Sequence, residues 1–330
     1  MAEQDPAMRV MLLAVRYWAS RCLHVVADLG VADALGDEPQ TATALAQKVS
    51  ANPPALHRIL RALSNHGIFT LREGRFAHNS ASVLLKSDAP ASMRSLVRMA
   101  GFKAHWDGYR ELDYSLLEGK PAIDRVVTGG LFSYLADHPQ EAQIFDEAMT
   151  GKAFSQIPQV LAAYDFSGFS TIGDIGGGAG HLLYAVLAKT PSAKGVLFDL
   201  PQVIARAKAA ANPRVAYVDG DFFKDAIPPC DAYMMMTVLH DWSDEQAVQI
   251  LNRIGKTAPA GAKLLLIESV IDEEAKDDFS IDLDIEMLVM ANGRERTRAE
   301  WDAVLEDGGW RMERVIETPS WCSIVEGVLG

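Results

Sequence analysis

The sequence predicts an α/β fold: a doubly wound, Rossmann-like domain preceded by an N-terminal, helical winged-helix module. The second half of the chain alternates short apolar strands with helical stretches, which is typical of a parallel sheet covered on both faces. The segment Gly176–Gly180, called the glycine loop below, directly follows the first of these strands, Ser170–Ile175. Glycines there allow the backbone to turn sharply and to approach a nucleotide-like ligand.

The composition is that of an ordinary soluble globular protein long enough for two domains. Of 330 residues, 49% are hydrophobic and 23% are charged. The net charge of −13 argues against a nucleic-acid partner for the whole chain. Cys22, Cys230 and Cys322 are far apart, so neither a disulfide framework nor a metal site is expected.

We expect no signal peptide, because no basic segment precedes an apolar core with a small-residue cleavage site. Met8–Leu29 is rich in apolar residues, but it is interrupted by Arg16, Arg21, His24 and Asp28, whereas a membrane-spanning helix needs a cleaner run. We expect a cytoplasmic protein that binds no membrane.

The first element is predicted as one helix over Arg9–Leu29, ended by Gly30. Its apolar residues cover more than one face. A helix of this kind is buried from several sides, within its own domain or against a partner subunit.

Two helices and a hairpin follow, which is the outline of a winged helix. The helices are predicted at Thr41–Val49 and Ala55–His66, and the hairpin strands at Ile68–Leu71 and Arg75–Ala77. Residues 1–100 carry 11 basic and 8 acidic side chains, so DNA binding is a competing hypothesis. The second helix contains only two arginines and no basic cluster, which favours a packing module over a DNA reader.

After a helical region at about 90–160, seven strands are predicted, with helices between the first five, and the chain divides into residues 1–100, 101–165 and 166–330. The strand patterns are Ser170–Ile175, Gly195–Asp199, Val215–Val218, Ala232–Val238, Lys263–Val270, Arg311–Ile316 and Ser323–Val328. Ligands of such sheets sit at the carboxyl ends of the strands, so the residues that end each strand form one candidate site.

The glycine loop favours S-adenosylmethionine over a dinucleotide. Its spacing is G-x-G-x-G, and His181 stands where the dinucleotide fingerprint has a third glycine. Asp174 precedes Gly176 by two residues. Its charge would repel a pyrophosphate and attract a cationic amino group or a sulfonium.

The next three strands also end in chemically useful residues. Asp199 lies 23 residues after Gly176, where a carboxylate can accept hydrogen bonds from a ribose diol. Asp221 can accept from an adenine amino group while Phe222 covers the ring. His240 follows the fourth strand, in a position suited to a general base.

Two carboxylates are candidates to orient that histidine. Glu268 ends the fifth strand, and Glu295 follows in Asn292–Thr297. Either could bind the second ring nitrogen and stabilise the imidazolium, and each could instead form an ion pair with a neighbouring arginine.

Together these segments resemble the S-adenosylmethionine-dependent small-molecule O-methyltransferases, a family that includes plant caffeic acid and hydroxyindole O-methyltransferases and bacterial natural-product enzymes. The resemblance extends over essentially the whole chain. The segments that carry it are Tyr17–Asp33, Asp174–Gly180, Phe198–Pro201, Gly220–Phe223, His240–Glu245 and Gly293–Thr297.

The resemblance implies a role for each candidate residue. The catalytic set is His240, Glu268 and Glu295. The candidate cofactor-binding residues are Asp174, Gly176, Gly178, Asp199, Leu200, Asp221, Phe222 and Thr237. The acceptor-pocket candidates are Phe145, Met149, Met287, Met290 and Asn292. For any one of them, packing in the core is an equally good explanation of the residue type.

The resemblance also implies an organisation and an activity. Residues 1–100 would form a homodimer, 101–165 would contribute to the acceptor pocket, and 166–330 would bind S-adenosylmethionine without a metal. The expected reaction is methylation of a hydroxyl on an aromatic small molecule. Two alternatives are N-methylation and non-methylating chemistry such as hydroxylation. Retention of the histidine and both glutamates favours methyl transfer.

Overall fold

A computed structural model of the chain describes residues 5–276 and 278–330; the side chains of residues 132 and 210 are outside the description. Contacts divide the chain into two compact units. The first unit runs to Trp106 and includes Leu135–Lys152, and the second comprises Asp107–Tyr134 and Ala153–Gly330.

The elements up to residue 163 are mainly helical. They are α1 (Pro6–Val15), α2 (Tyr17–Asp28), α3 (Val31–Leu35), β1 (Gln40–Thr41), α4 (Ala42–Lys48), α5 (Pro53–Asn65), β2 (Thr70–Arg72), β3 (Arg75–Ala77), α6 (Ser80–Val83), α7 (Arg94–Ala100), α8 (Lys103–Arg110), α9 (Leu112–Glu118), a 3-10 turn (Ala122–Arg125), α10 (Gly130–Asp137) and α11 (Pro139–Ala163).

The predicted single helix over Arg9–Leu29 is wrong in its bounds. The helix begins at Pro6, where the Asp5 carboxylate accepts from the N–H of Ala7. It is divided at Arg16, whose N–H bonds to the carbonyl of Leu13, three residues back instead of four. The predicted stop is confirmed, since Gly30 has a φ of 66°.

The winged-helix outline is confirmed within the first unit. α4 and α5 precede the β2–β3 hairpin, and β1 adds a third strand in the order β1-β3-β2. Thr41 and Asn52 cap the two helices with their side-chain oxygens. Leu45, Leu60 and Phe76 are fully buried at the centre of this module.

One stretch among the described residues, Pro6–Asp28, is long and apolar enough to cross a membrane by length and composition. Only 11% of its apolar window is buried. Leu13 and Trp18 expose 67% and 60% of their surface, so α1 and α2 present an apolar face to the outside of this unit.

The second unit is built on a seven-stranded sheet. Its elements are β4 (Thr171–Ile175), α12 (His181–Lys189), β5 (Lys194–Asp199), α13 (Pro201–Ala207), a 3-10 turn (Lys208–Ala210), β6 (Val215–Asp219), β7 (Ala232–Met236), a 3-10 turn (Leu239–Asp241), α14 (Asp244–Gly255), β8 (Lys263–Glu268), β9 (Val270–Ile271), α15 (Phe279–Met290), β10 (Arg296–Thr297), α16 (Arg298–Asp307), β11 (Trp310–Ile316) and β12 (Ser323–Leu329).

Helices cover both faces of this sheet, as the strand pattern predicted. The order is β11-β12-β8-β7-β4-β5-β6, with β11 and β12 antiparallel at one edge and the other five strands parallel. α11, α12 and α13 pack on one face, and α14 and α16 pack on the other.

Three details of the predicted pattern are wrong. No helix lies between β6 and β7, because Pro228 and Pro229 interrupt that segment and lack the N–H that a helix needs. β7 ends at Met236 instead of Val238, since Thr237 has a φ of 50° and turns the chain away. Lys263–Val270 divides into two strands, β8 and β9.

The sheet has its switch point between β4 and β7. From β4 the chain proceeds through β5 and β6 toward one edge, and from β7 through β8 toward the other. The carboxyl ends of two strands at such a point open a crevice between their following loops. The glycine loop after β4 and the segment after β7 are therefore neighbours.

Candidate active site

The glycine loop packs closely on one side and is open on the other. Gly176, Gly178 and Gly180 have φ values of 70°, 59° and 81°, which favour glycine. A Cβ at Gly177 would lie 2.5 Å from Cγ of Asp174, whereas a Cβ at Gly178 would meet nothing within 4 Å. The open side is therefore a backbone surface that a ligand can approach closely.

Asp174 lies beneath this loop and is 2% exposed. Burial raises the pKa of its carboxyl group to about 7, although the hydrogen bond from the N–H of Leu183 acts to lower it. Its Oδ2 has no hydrogen-bond partner among the described residues. A buried oxygen of this kind is costly unless a donor or a cation satisfies it.

Asp199, at the end of β5, ties the next strand to the loop. Its Oδ2 accepts from the N–H of Gly178 at 2.8 Å, and its Oδ1 accepts from the N–H of Leu200 at 2.7 Å. Burial raises the pKa of this carboxyl group. Each carboxylate oxygen has two lone pairs, so the group retains the capacity for two further donors.

Asp221 and Phe222 follow the end of β6. Asp221 accepts from Nζ of Lys224 and from the N–H of Phe223, at 2.8 and 2.9 Å, and the lysine holds the pKa of this carboxyl group below its usual value. Phe222 lies beside the glycine loop: a Cβ at Gly176 would be 3.8 Å from its Cε1.

The chain turns sharply after β7 at Thr237, in the segment of residues 237–242 that we call the His240 turn. A φ of 50° is unusual for a β-branched residue and is typical of strained backbone at functional sites. The next residue, Val238, was not predicted as part of the site. A Cβ at Gly176 would lie 3.1 Å from its Cγ2, so the two loops are in contact.

His240 is 4% exposed and lies in the 3-10 turn Leu239–Asp241. Its Nδ1 is 2.7 Å from Oε1 of Glu295. In the tautomer that donates from Nδ1 to Glu295, the lone pair of the ring lies on Nε2. Nε2 is 3.6 Å from Oδ1 of Asp241.

Glu268 holds the backbone on the other side of the turn. It is fully buried, and its Oε1 accepts from the N–H groups of Val238 and Leu239, both at 2.9 Å. Burial raises the pKa of its carboxyl group to about 7. Of the two carboxylates that the sequence left open, Glu295 contacts the imidazole and Glu268 binds the main chain beside it.

Sequence reasoning also missed how closely Gly293 and Arg294 approach the turn. The N–H of Arg294 donates to the carbonyl of His240 at 2.9 Å, and a Cβ at Gly293 would overlap that same oxygen. The motif Gly293–Thr297 was noted for Glu295 alone. The glycine at the first position of this motif is the sequence signal that could have indicated this close approach.

Three of the acceptor-pocket candidates belong to the second unit. Met287 and Met290 are buried at the end of α15, and Sδ of Met290 lies 3.1 Å from where a Cβ at Gly108 would be. Asn292 donates to Oε1 of Gln246 at 3.2 Å. It lines a cavity of about 230 Å³ together with Gly119, Lys120, Pro121, Ser243, Asp244, Glu245, Leu288, Ala291, Gly293 and Arg294.

Phe145 and Met149 lie on α11 within the first unit and are half-buried. Their role in an acceptor pocket stays a prediction. In residues 5–276 and 278–330, no cluster of three or more His, Cys, Asp or Glu side chains is arranged to hold a metal ion.

Two family models match the chain. One, described as an O-methyltransferase domain, matches residues 109–311, and the other, described as an O-methyltransferase dimerisation domain, matches residues 11–88.

Individual relatives match over nearly their full length. The phenazine O-methyltransferase of Lysobacter antibioticus is 37% identical over 94% of this chain and 92% of its own. The 8-amino-8-demethylriboflavin N,N-dimethyltransferase of Streptomyces davaonensis is 37% identical over 93% of this chain and 91% of its own. The crystal structure of CalO1, a methyltransferase of calicheamicin biosynthesis in its SAH-bound form, superposes with a TM-score of 0.88 at 30% identity, covering 99% of this chain and all of that one (100%).

Proposed function

This chain belongs to the O-methyltransferase family, and we propose that it transfers the methyl group of S-adenosylmethionine to a hydroxyl on an aromatic small molecule, with His240 as the general base. The observation that carries this proposal is the buried His240–Glu295 pair, 2.7 Å between Nδ1 and Oε1, at the switch point of the sheet. The open glycine loop adjoins that pair through Val238.

The residues around the loop suit S-adenosylmethionine. Asp174, with its unpartnered buried oxygen, would hold a cationic group of the cofactor. Asp199 has the acceptor capacity for two ribose hydroxyls, and Leu200 follows it. Asp221 would bind the adenine at its edge and Phe222 at its face, and Thr237, directly after β7, is a further cofactor-binding candidate. When bound, the cofactor supplies an electrophilic methyl group on a positively charged sulfur.

The His240 turn supplies the proton acceptor. Nε2 of His240 would take the proton of the acceptor hydroxyl, and the bound cofactor would supply the methyl group to that oxygen. Glu295 stabilises the imidazolium through Nδ1. Glu268 assists by fixing the backbone that carries His240.

We also propose that the protein is a cytoplasmic homodimer that binds neither nucleic acid nor membrane. The dimerisation-domain match at 11–88 and the exposed apolar face of α1 and α2 support a second copy as the partner. On this proposal residues 1–100 form the dimerisation domain, residues 101–165 form a connector that contributes to the acceptor pocket, and residues 166–330 form the catalytic domain. The acceptor pocket is lined by Phe145, Met149, Met287, Met290 and Asn292.

An amine acceptor is the second candidate, because a relative 37% identical is named as an N,N-dimethyltransferase. A neutral aromatic amine attacks without losing a proton first, so it depends less on a base. The imidazole–carboxylate pair therefore favours a hydroxyl acceptor.

The proposal is tested with S-adenosylmethionine labelled in its methyl group. The acceptors are phenols, hydroxylated heteroaromatics and polyketide-like ring systems, each paired with the analogue that carries an amino group at the same position. We expect label on the hydroxyl of one ring class, with one S-adenosylhomocysteine formed for each methyl transferred.

Label on amines alone would replace the first candidate with the second. A hydroxylated product without S-adenosylhomocysteine would contradict both, and so would NAD binding without S-adenosylmethionine binding in calorimetric titrations.

A further inference from the structure

We propose that Arg296 is a positioning residue for the base: its guanidinium fixes the backbone of the His240 turn and so holds the imidazole in its working orientation. This inference rests on the proposed function only in assigning the base to His240. The observation beneath it is a fully buried arginine that donates to backbone carbonyls on both sides of that histidine.

The guanidinium donates to four oxygens, one of which is the carbonyl of Arg294 at 3.5 Å from Nη1. Nη1 donates to the carbonyl of Leu239 at 3.2 Å, and Nη2 donates to the carbonyl of Trp242 at 2.9 Å. Nε donates to Oδ1 of Asp244 at 2.8 Å, which balances the buried charge. The Cζ atom lies 4.9 Å from the ring centroid of the buried Trp301, which fixes the plane of the fork.

The opposite set of backbone groups is bound by Glu268, which accepts from the N–H groups of Val238 and Leu239. The turn is thus held by the Glu268 carboxyl group at its N–H groups and by the Arg296 guanidinium at its carbonyls. His240 itself is held at its carbonyl by Arg294 and at its ring by Glu295. Rotation of the turn would break several charge-assisted hydrogen bonds at once.

Lysine cannot replace this arrangement. Its single ammonium group cannot reach three acceptors that lie in the directions of a planar fork. In Arg296→Lys the carbonyls of Leu239 and Trp242 would lose at least one donor between them, while a positive charge stays near Asp244. This substitution therefore removes positioning and largely keeps the charge.

The experiment compares wild type, Arg296→Lys and His240→Ala, alone and combined. A matched control is Arg214→Lys, because Arg214 also donates to backbone carbonyls, those of Leu187, Thr190, Pro191 and Ala193, at the end of α12. We expect Arg296→Lys to lower kcat by about 10- to 100-fold, the scale of a misplaced catalytic group. Affinity for S-adenosylhomocysteine should change less than about threefold, and Arg214→Lys should keep the wild-type kcat.

Two readouts separate positioning from a general structural role. In the His240→Ala background, Arg296→Lys should cost almost nothing further in kcat, because both changes remove the same function. In proton NMR of the unliganded protein, the hydrogen of the Nδ1–Glu295 bond, assigned by its loss in His240→Ala, should broaden or move in Arg296→Lys and stay in Arg214→Lys.

An additive loss of kcat in the double variant would overturn the proposal, and so would an unchanged NMR resonance. The NMR result does not depend on the reaction, so it stands even if the methylation proposal fails. Should Arg296→Lys fold poorly, Asp244→Asn weakens the same guanidinium from a half-exposed position. It should reproduce the changes in kcat and NMR in milder form, and wild-type values of both in a folded Asp244→Asn protein would overturn the proposal.

Discussion

The glycine loop and the His240 turn lie side by side at the switch point, yet they are specified in opposite ways. The loop takes its shape from local backbone, with three glycines at positive φ and one carboxylate, Asp199, tying it to the next strand. The turn takes its shape from side chains far along the chain: Glu268, Glu295 and Arg296. On the proposed function, the half of the site that binds the cofactor is therefore local in sequence, and the half that carries the base is assembled only by folding.

The largest expected effect comes from removing the proposed base, which should impair the His240 turn and leave the glycine loop intact. His240→Ala should lower kcat about 10²- to 10⁴-fold, the usual contribution of a general base. Affinity for S-adenosylmethionine, measured by calorimetry, should stay within about threefold, because the side chain belongs to the turn and not to the loop.

The control for this variant is His66→Ala, which changes an exposed histidine in the first unit. Near-normal turnover in His240→Ala would refute the assigned base. A large loss of cofactor affinity with normal turnover at saturation would instead mean that the two regions do not act separately.

A smaller expected effect concerns the glycine loop and is a pH dependence of cofactor affinity through Asp174. The pKa of Asp174 is raised to about 7 by burial, so at pH 6 the unliganded protein holds it mostly neutral. If the ionised form binds the cationic group of the cofactor, affinity for S-adenosylhomocysteine should rise about tenfold from pH 6 to pH 8. Asp174→Asn should bind more weakly and lose this slope, while kcat at saturation changes little.

The same shift predicts a stability difference with a definite sign. The unfolded chain loses this proton near the ordinary value of 3.8, and the folded protein keeps it until about 7. Stability of the unliganded protein therefore falls as the pH rises through this range, and Asp174→Asn lacks that contribution. The surface variant Asp302→Asn is the control. An affinity slope that persists in Asp174→Asn would assign the titration to another group.

The contrast also explains what the sequence could predict. Gly176, Asp199 and Phe222 lie at or just after the ends of successive strands, so strand order alone predicted that they share one edge of the sheet. The helix α12 begins at His181, directly after the glycine loop. Local pattern was enough for this half of the site.

The turn was beyond local pattern. Glu268 binds backbone N–H groups and Glu295 binds a ring nitrogen of His240. The spacing of these residues along the sequence does not indicate which carboxylate makes which contact. Arg296 was overlooked because an arginine beside a glutamate suggests a surface ion pair, whereas it is fully buried. The positive φ of Thr237 could not be predicted either, since β-branched residues favour strands.

The most direct test of the central claim compares wild type with His240→Ala on acceptors that share one ring and differ in the acidity of the hydroxyl. A general base matters only while the hydroxyl holds its proton. The ratio of wild-type to variant kcat should therefore be large for a weakly acidic phenol and approach about one as the hydroxyl pKa falls below the assay pH. A ratio that stays constant across the series would contradict the account, because His240 would then act by some means other than removing that proton.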